Sequence, residues 1–371
     1  MQFTVNVQDL LEGLNTVTRA LAARPAKPIL EGVLLEAEGD TLTLTCSDGS
    51  LTIETCIYAA IREEGRTVLP GKLFTELARK LPGGEVTVTV GENHTAAIKC
   101  MSSKSNLAVM NAAEYPEMSD SAQGTQVNIP QKQLKEMISR VVFAIATDES
   151  RQILTGCLLE VARDEARMVA LDGFRLAMQK VFQPFELPEG TEVLKAVIPG
   201  RVLNELSKVL PDEEEFCRLQ IEKTRMQAIF GNTRLTTVLL AGEYIDYRRI
   251  LPPSFKTIVE CDRNQVQNAI DRASLMAREG KNNLVRMAFT EDTLAITSNA
   301  DMGDVHEELG AILSGDPLEI AFNAKYITDV IRNITDENLC MYFNSNVSPC
   351  VVKPKAGDQY LYLILPVRVF N

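Results

Sequence analysis

Six cations stand at two repeated positions of this sequence: Lys72, Arg201 and Lys325 at the first, Arg79, Lys208 and Arg332 at the second. A carboxylate, Glu76, Glu205 or Asp329, lies between the members of each pair. Seven helical residues make two turns, so each pair would run about 10 Å along one helix face. Cations spaced in this way make and break no bonds. They suit attraction to an extended polyanion, through phosphates and without reading bases. Groups for bond-making chemistry are sparse. His94 and His306 are the only histidines, and neither has a second ligand-type residue at metal spacing, so no metal site is expected. No nucleophile, base and orienting group can be assembled, and no GxxxxGK[ST] phosphate loop occurs. The carboxylates follow no repeated pairing. The chain is read as non-catalytic, with no catalytic residue and no cofactor.

The cations sit in one segment written three times: VLPGKLFTELARKLP (68–82), VIPGRVLNELSKVLP (197–211) and AFNAKYITDVIRNIT (321–335). Apolar residues coincide at Leu73/Val202/Tyr326, Phe74/Leu203/Ile327, Leu77/Leu206/Val330 and Leu81/Leu210/Ile334. That spacing predicts an amphipathic helix in each copy. A second family of segments opens at 3–21, 127–145 and 259–277, again with one apolar stripe: Leu10/Leu134/Val266, Leu14/Ile138/Ile270, Val17/Val141/Ala273 and Leu21/Ile145/Ala277. Alternating segments follow each helix, among them 41–48 and 51–61 around Asp48-Gly49, 167–181 around Asp172-Gly173, and 293–309. Further pairs of strands are expected at 85–100, 217–230 and 339–354. The unit is therefore strand, helix and strands, twice per module, with three modules in the chain.

This pattern predicts an α+β fold, with helices laid on one face of antiparallel sheets. Polar or proline-rich segments at 119–126 and 251–256 separate the modules, giving domains 1–122, 123–252 and 253–371. The eight cysteines contain no CxxC pair and are expected as reduced, mostly buried thiols. The opening MQFTVNVQDLLEG does not read as a signal peptide, and no apolar run approaches a membrane span, so a cytoplasmic protein is expected. A net charge of −12 argues against a nucleic-acid partner only if the charge is evenly spread. The six expected helices, taken as 8–24, 71–81, 131–142, 200–210, 263–279 and 324–334, carry a net +7, which leaves −19 for the remainder. Screening lengths of about 8–10 Å let a helix-lined surface be locally positive while the outside stays acidic.

Collinear motifs then carry a resemblance over the whole length. They are MQFTV at the start, Arg24-Pro25-Ala26-Lys27-Pro28-Ile29-Leu30, Asp172-Gly173-Phe174-Arg175-Leu176-Ala177, Asp246-Tyr247-Arg248-Arg249-Ile250-Leu251-Pro252, Phe322-Asn323 with Tyr326, and Leu365-Pro366-Val367-Arg368. With the triplication, they make the chain resemble the bacterial sliding clamps, the beta subunits of DNA polymerase III. The resemblance implies a head-to-tail homodimeric ring of six similar domains that encircles duplex DNA. It also implies tethering of the replicative polymerase catalytic subunit, repair and translesion polymerases through short peptide motifs, with an ATP-using clamp loader opening the ring.

Carried over residue by residue, the family's peptide cleft would comprise Leu171, Gly173, Phe174, Arg175, Leu176, Ile245, Arg249, Ile250, Asn323, Tyr326, Val347, Pro349, Leu363, Leu365, Pro366, Val367 and Arg368. Such a cleft needs apolar sockets and a few polar groups to fix a peptide backbone. Phe174 stands where some relatives have histidine, Pro349 where some have serine, and Val369-Phe370-Asn371 extend past Arg368. Arg24, Lys72, Arg151 and Arg201 match DNA-side positions in type, and helix position adds Arg79, Lys132 and Arg140. Gln152 and Ile153 replace an aromatic pair that touches DNA in some relatives, so that contact is not carried over. Leu107 on one copy and Leu275 with Met276 on the other would form the dimer contact. Two other classes of reading stand beside this one: an enzyme on the same scaffold, and a peptide-recruiting scaffold that never meets DNA.

Overall fold

Alternating segments such as Glu85–Val90 (EVTVTV) become strands because β-branched residues suit a pleated, half-buried surface. The computed structural model describes residues 1–21, 27–91, 94–116, 124–280 and 283–368. Six α-helices occur among them: α1 (Val7–Val17), α2 (Gly71–Ala78), α3 (Gln131–Ser139), α4 (Gly200–Val209), α5 (Arg263–Glu279) and α6 (Ala324–Arg332). The opening helices bury the expected stripe, with Leu10, Leu14 and Val17 on α1 and Val266, Ile270 and Ala273 on α5 all at most 1% exposed. Each fully buried leucine contributes about 2 kcal/mol relative to exposure.

Some helices are shorter than periodicity suggested. α1 stops at Val17 and passes into a 3-10 turn at Thr18–Ala20. The run Thr16-Val17-Thr18 is β-branched, and the Thr18 hydroxyl donates back to the Leu14 carbonyl at 2.6 Å. α2 and α3 likewise end at Ala78 and Ser139, before the expected limits. Leu73, expected on the buried face of α2, is 52% exposed, whereas its counterpart Val202 is buried.

The chain forms two compact units, 1–134 with 205–239, and 135–204 with 240–371. Their divisions fall inside α3 and α4, the two helices of the central module. The first unit holds a five-stranded antiparallel sheet, ordered Ala60–Glu63, Gln2–Asn6, Glu85–Val90, Thr95–Cys100 and Ser103–Ala108. Its eight-stranded sheet joins modules, because Thr233–Val238 pairs with Leu51–Tyr58, Leu235 opposite Ile53. In the second unit one twelve-stranded sheet does the same. There Arg175–Phe182 pairs with Tyr360–Ile364, Leu176 opposite Leu363.

The sequence reading placed each module's strands with its own helices. Backbone pairing instead carries each large sheet across a module junction. A core cluster under the second junction includes Leu171, Leu176, Tyr247, Tyr342, Val351 and Leu363. All eight cysteines are free thiols, and all but Cys56 are buried. No helix of the described residues is long and apolar enough to cross a membrane.

Candidate functional site

The second unit gathers most of the expected cleft residues around one turn. Asp172 caps it: its Oδ1 accepts from the Phe174 and Arg175 amides at 2.8 and 3.0 Å. Gly173 sits in the left-handed region at φ 93°, which a side chain would strain. The turn lifts Phe174 into solvent at 57% exposure, and its ring stacks on Tyr326 at 5.9 Å between centroids. The Leu365 amide donates to the Phe174 carbonyl, and the Val367 amide to the Ala321 carbonyl, both at 2.8 Å. The C-terminal segment is thereby tied to both the turn and the strand Leu318–Asn323.

Four residues expected as cleft walls are buried. Leu171, Leu176 and Leu363 are 4%, 2% and 2% exposed and belong to the core beneath. Arg175 is also buried, and each of its three guanidinium nitrogens donates a hydrogen bond. Nε donates to Asp172 Oδ2 at 3.0 Å, Nη1 to Asp329 Oδ2 at 2.6 Å, and Nη2 to the Phe143 carbonyl. The Phe143 and Tyr326 rings lie at 5.3 and 4.7 Å from its central carbon. Arg175 therefore holds the aromatic surface from below. Asn323 has a structural task as well: its Oδ1 caps α6 by accepting from the Lys325 amide at 2.9 Å.

The exposed apolar groups are Phe174, Ile245, Ile250 and Val347, with Tyr326, Pro349, Leu365, Pro366 and Val367 half-buried. Arg249 projects outward and pairs with Asp246 at 3.0 Å. A cavity of about 510 Å³ elsewhere in this unit is lined by Arg140, Asp336, Lys355 and Tyr360, and by none of the cleft residues.

Beside Ile245 and Ile250, Tyr247 is only 1% exposed and donates to Glu160 Oε2 at 2.8 Å. Arg248 Nη2 donates to the same oxygen at 2.7 Å, with Lys195 at 3.4 Å from Oε1. Burial alone would raise the Glu160 carboxyl. The Tyr247 and Arg248 hydrogen bonds and the Arg248 and Lys195 charges reverse that and hold it below the usual carboxylate range. Burial, then the hydrogen bond to Glu160, pushes Tyr247 up to about 12.

The candidate DNA-side cations divide by their partners. Lys72 on α2 and Arg79 at its C-cap are exposed, and Arg79 donates to Asn15 Oδ1 at 2.8 Å. Neither has a carboxylate within ion-pairing distance among the described residues. Arg151 and Arg201 are exposed, and Lys132 pairs with exposed Glu214 at 3.4 Å. Arg140 is largely buried: its side chain is 13% exposed, pairs with Glu136 and donates to Thr335 at 3.2 Å. Arg24 lies outside the described residues, as do Val369–Asn371.

The repeated carboxylate also differs between copies. Glu205 pairs with Lys208 and Arg19, and Asp329 with Lys325 and Arg175. The pairs made by exposed Lys208 and Lys325 contribute about 0–1 kcal/mol and rearrange readily, whereas the Arg175–Asp329 pair is largely buried.

At the expected dimer contact, Leu107 is 8% exposed. Leu275 is 57% exposed, and Leu73 and Met302, missed by the sequence reading, are 52% and 85% exposed. Leu73 was hidden by its apparent place on a core stripe. Phe143, Asp172, Asp329 and Glu160 were also missed. Asp329 had a signal in the repeated carboxylate position, and Asp172 and Tyr247 lie in motifs already singled out. Glu160 is the one charge in the strand Gly156–Val161 (GCLLEV).

Comparisons with known proteins agree along the whole chain. Three family profiles match it in order: the DNA polymerase III beta subunit N-terminal domain at 1–119, the central domain at 128–246 and the C-terminal domain at 248–368. The beta sliding clamp of Staphylococcus aureus is 32% identical over 380 aligned residues, covering all of both chains. The crystal structure of the Bacillus subtilis DNA polymerase sliding clamp superposes with a TM-score of 0.95 at 32% identity, again over both whole chains. The DNA polymerase III beta subunit of Thermotoga maritima gives 0.92 at 27% identity over both whole chains.

Proposed function

Because the chain belongs to the DNA polymerase III beta subunit family, the bacterial sliding clamps that serve replication as non-catalytic processivity factors, we propose that two copies close into a ring around duplex DNA. DNA and a DNA polymerase are the partners that membership implies. A DNA-free scaffold is not favoured by that family, and neither is an enzyme.

In this reading the domains 1–122, 123–252 and 253–371 of each copy supply six units of the ring. Lys72, Arg79, Lys132, Arg151 and Arg201, with Arg24 by residue type, meet phosphates without reading bases. The observation that carries the reading is the thrice-repeated helix, whose six cations are all exposed on a chain of net charge −12.

Head-to-tail closure is supported by two unfilled strand edges. Among the described residues, Ser103–Ala108 pairs only with Thr95–Cys100. Among the described residues, 303–310 pair only with Thr293–Ala300, which leaves their other side as an open strand edge. Joining such edges would cover Leu73, Leu275, Met276 and Met302. A clamp loader using ATP would open this contact. The replicative polymerase catalytic subunit and repair and translesion polymerases would each insert a short peptide among Phe174, Ile245, Ile250, Tyr326, Val347 and Pro366. The protein would act in the cytoplasm.

Truncation after Leu365 tests the cleft, because it removes the Val367 amide that donates to the Ala321 carbonyl. Affinity for a synthetic peptide of the polymerase catalytic subunit's last residues should fall by about a hundredfold or more, the scale of losing a central anchor. The mass in solution should remain that of a dimer. Full-strength binding by the truncated chain would place the cleft elsewhere.

A further inference from the structure

The segment from Ile245 to Ile250 carries three outward-facing residues of the cleft but has little regular structure to hold it. Its only ordered element is a 3-10 turn at Tyr247–Arg249, closed by the Ile250 amide donating to the Tyr247 carbonyl at 3.0 Å. It belongs to no strand. What holds it is below: Tyr247 in the core and Arg248 folded back so that its guanidinium lies 4.8 Å from the Tyr247 ring centroid. Both end on one carboxylate, Glu160, which is 1% exposed. Arg248 donates to both of its oxygens, at 2.7 Å to Oε2 and 3.4 Å to Oε1. Lys195 and Arg167 add positive charge at 3.4 and 3.8 Å. A buried carboxylate needs such company, since an unpaired charge in that position is strongly unfavourable. With Tyr247 in the core and the half-exposed Arg248 head tied to Glu160, Ile245, Arg249 and Ile250 are left pointing out.

We propose that Glu160 is a positioning residue for partner binding: it never touches the peptide, but fixes the 245–250 wall of the cleft through Tyr247 and Arg248. The inference rests on the peptide-cleft reading above. Its thermodynamic content is population. A wall in the binding-competent arrangement only one-tenth of the time weakens apparent affinity about tenfold, even though every contacting residue is intact.

The test uses the full-length protein and two variants, Glu160→Gln, which removes the charge, and Tyr247→Phe, which keeps the ring in the core and removes only the hydroxyl. Amide hydrogen exchange, measured without peptide, should accelerate about tenfold or more across 245–250 in Glu160→Gln and less in Tyr247→Phe. Exchange in the strand Arg175–Phe182 should stay as in the wild type. Affinity for the polymerase-tail peptide should weaken about tenfold in Glu160→Gln. That loss should largely vanish when Ile250→Ala is already present, because the wall then has little left to offer.

Unchanged exchange at 245–250 in both variants would overturn the proposal. So would a Glu160→Gln penalty of equal size with and without Ile250→Ala, which is the signature of general destabilisation. If the wild type failed to bind the peptide, the cleft reading would fall, and the exchange measurement would still decide whether Glu160 holds the segment.

Discussion

Arg175→Ala should lower the melting temperature by roughly 10 °C and leave the polymerase-tail peptide without measurable binding. The wild-type guanidinium satisfies Asp172, Asp329 and the Phe143 carbonyl at once, and all of these groups are at least largely buried. Removing it leaves Asp172 without its guanidinium partner and Asp329 with only the exposed Lys325 as counter-charge. Breaking a buried pair in this way costs about 3–5 kcal/mol, which in a unit of this size is of the order of 10 °C. The effect on binding has a separate origin. The Tyr326 ring rests 4.7 Å from the guanidinium carbon, and Phe174 rests on Tyr326. Without Arg175 neither aromatic surface has a fixed floor. Thermal denaturation and fluorescence anisotropy read the two effects separately. A variant that melted like the wild type would show that the ion pairs contribute little. One that bound peptide normally at a temperature where it is folded would show that the aromatic pair positions itself.

Reversing Lys72, Arg79 and Arg201 to glutamate together should have the largest effect on DNA. If these cations meet phosphates as proposed, each reversal removes a phosphate partner and adds a repulsive charge. Association with duplex at low salt should fall by about a hundredfold or more, and the slope of log affinity against log salt should become shallower by about 3. All three side chains are exposed, so the melting temperature should hardly move. Unaltered affinity across the salt titration would refute their assignment to the DNA side.

How much of this was legible beforehand depended on whether the signal was local. The amphipathic helices were read directly, because an apolar stripe such as Leu10, Leu14 and Val17 is a property of one short stretch. Their ends were read less well, since the β-branched run at Thr16–Thr18 and its hydroxyl bond act against the period. The pairing of Leu235 with Ile53 and of Leu176 with Leu363 left no trace in periodicity. A strand that continues a neighbouring module's sheet has the same alternation as one that does not.

For the candidate cleft, resemblance supplied positions but not depth. Arg175, Leu171, Leu176 and Leu363 lie in the right neighbourhood and are buried there. Burial is set by what the sheet junction stacks above them, and one sequence does not display that. Glu160 was invisible for the same reason: a single acid in GCLLEV looks like an exposed strand residue until Tyr247 and Arg248 close over it. Leu73 was misplaced in the other direction, because its position in the repeat matches buried Val202 while its own surroundings leave it open.

The central claim, that two copies encircle duplex DNA, is tested most directly by topology. The protein is loaded onto a nicked circular duplex with its clamp loader and ATP, separated from free protein, and followed after a single restriction cut. Encirclement predicts stable retention on the intact circle and rapid loss once the circle is linear, with retention restored when both ends are blocked by bulky bound proteins. Equal retention on circular and linear DNA would contradict the account.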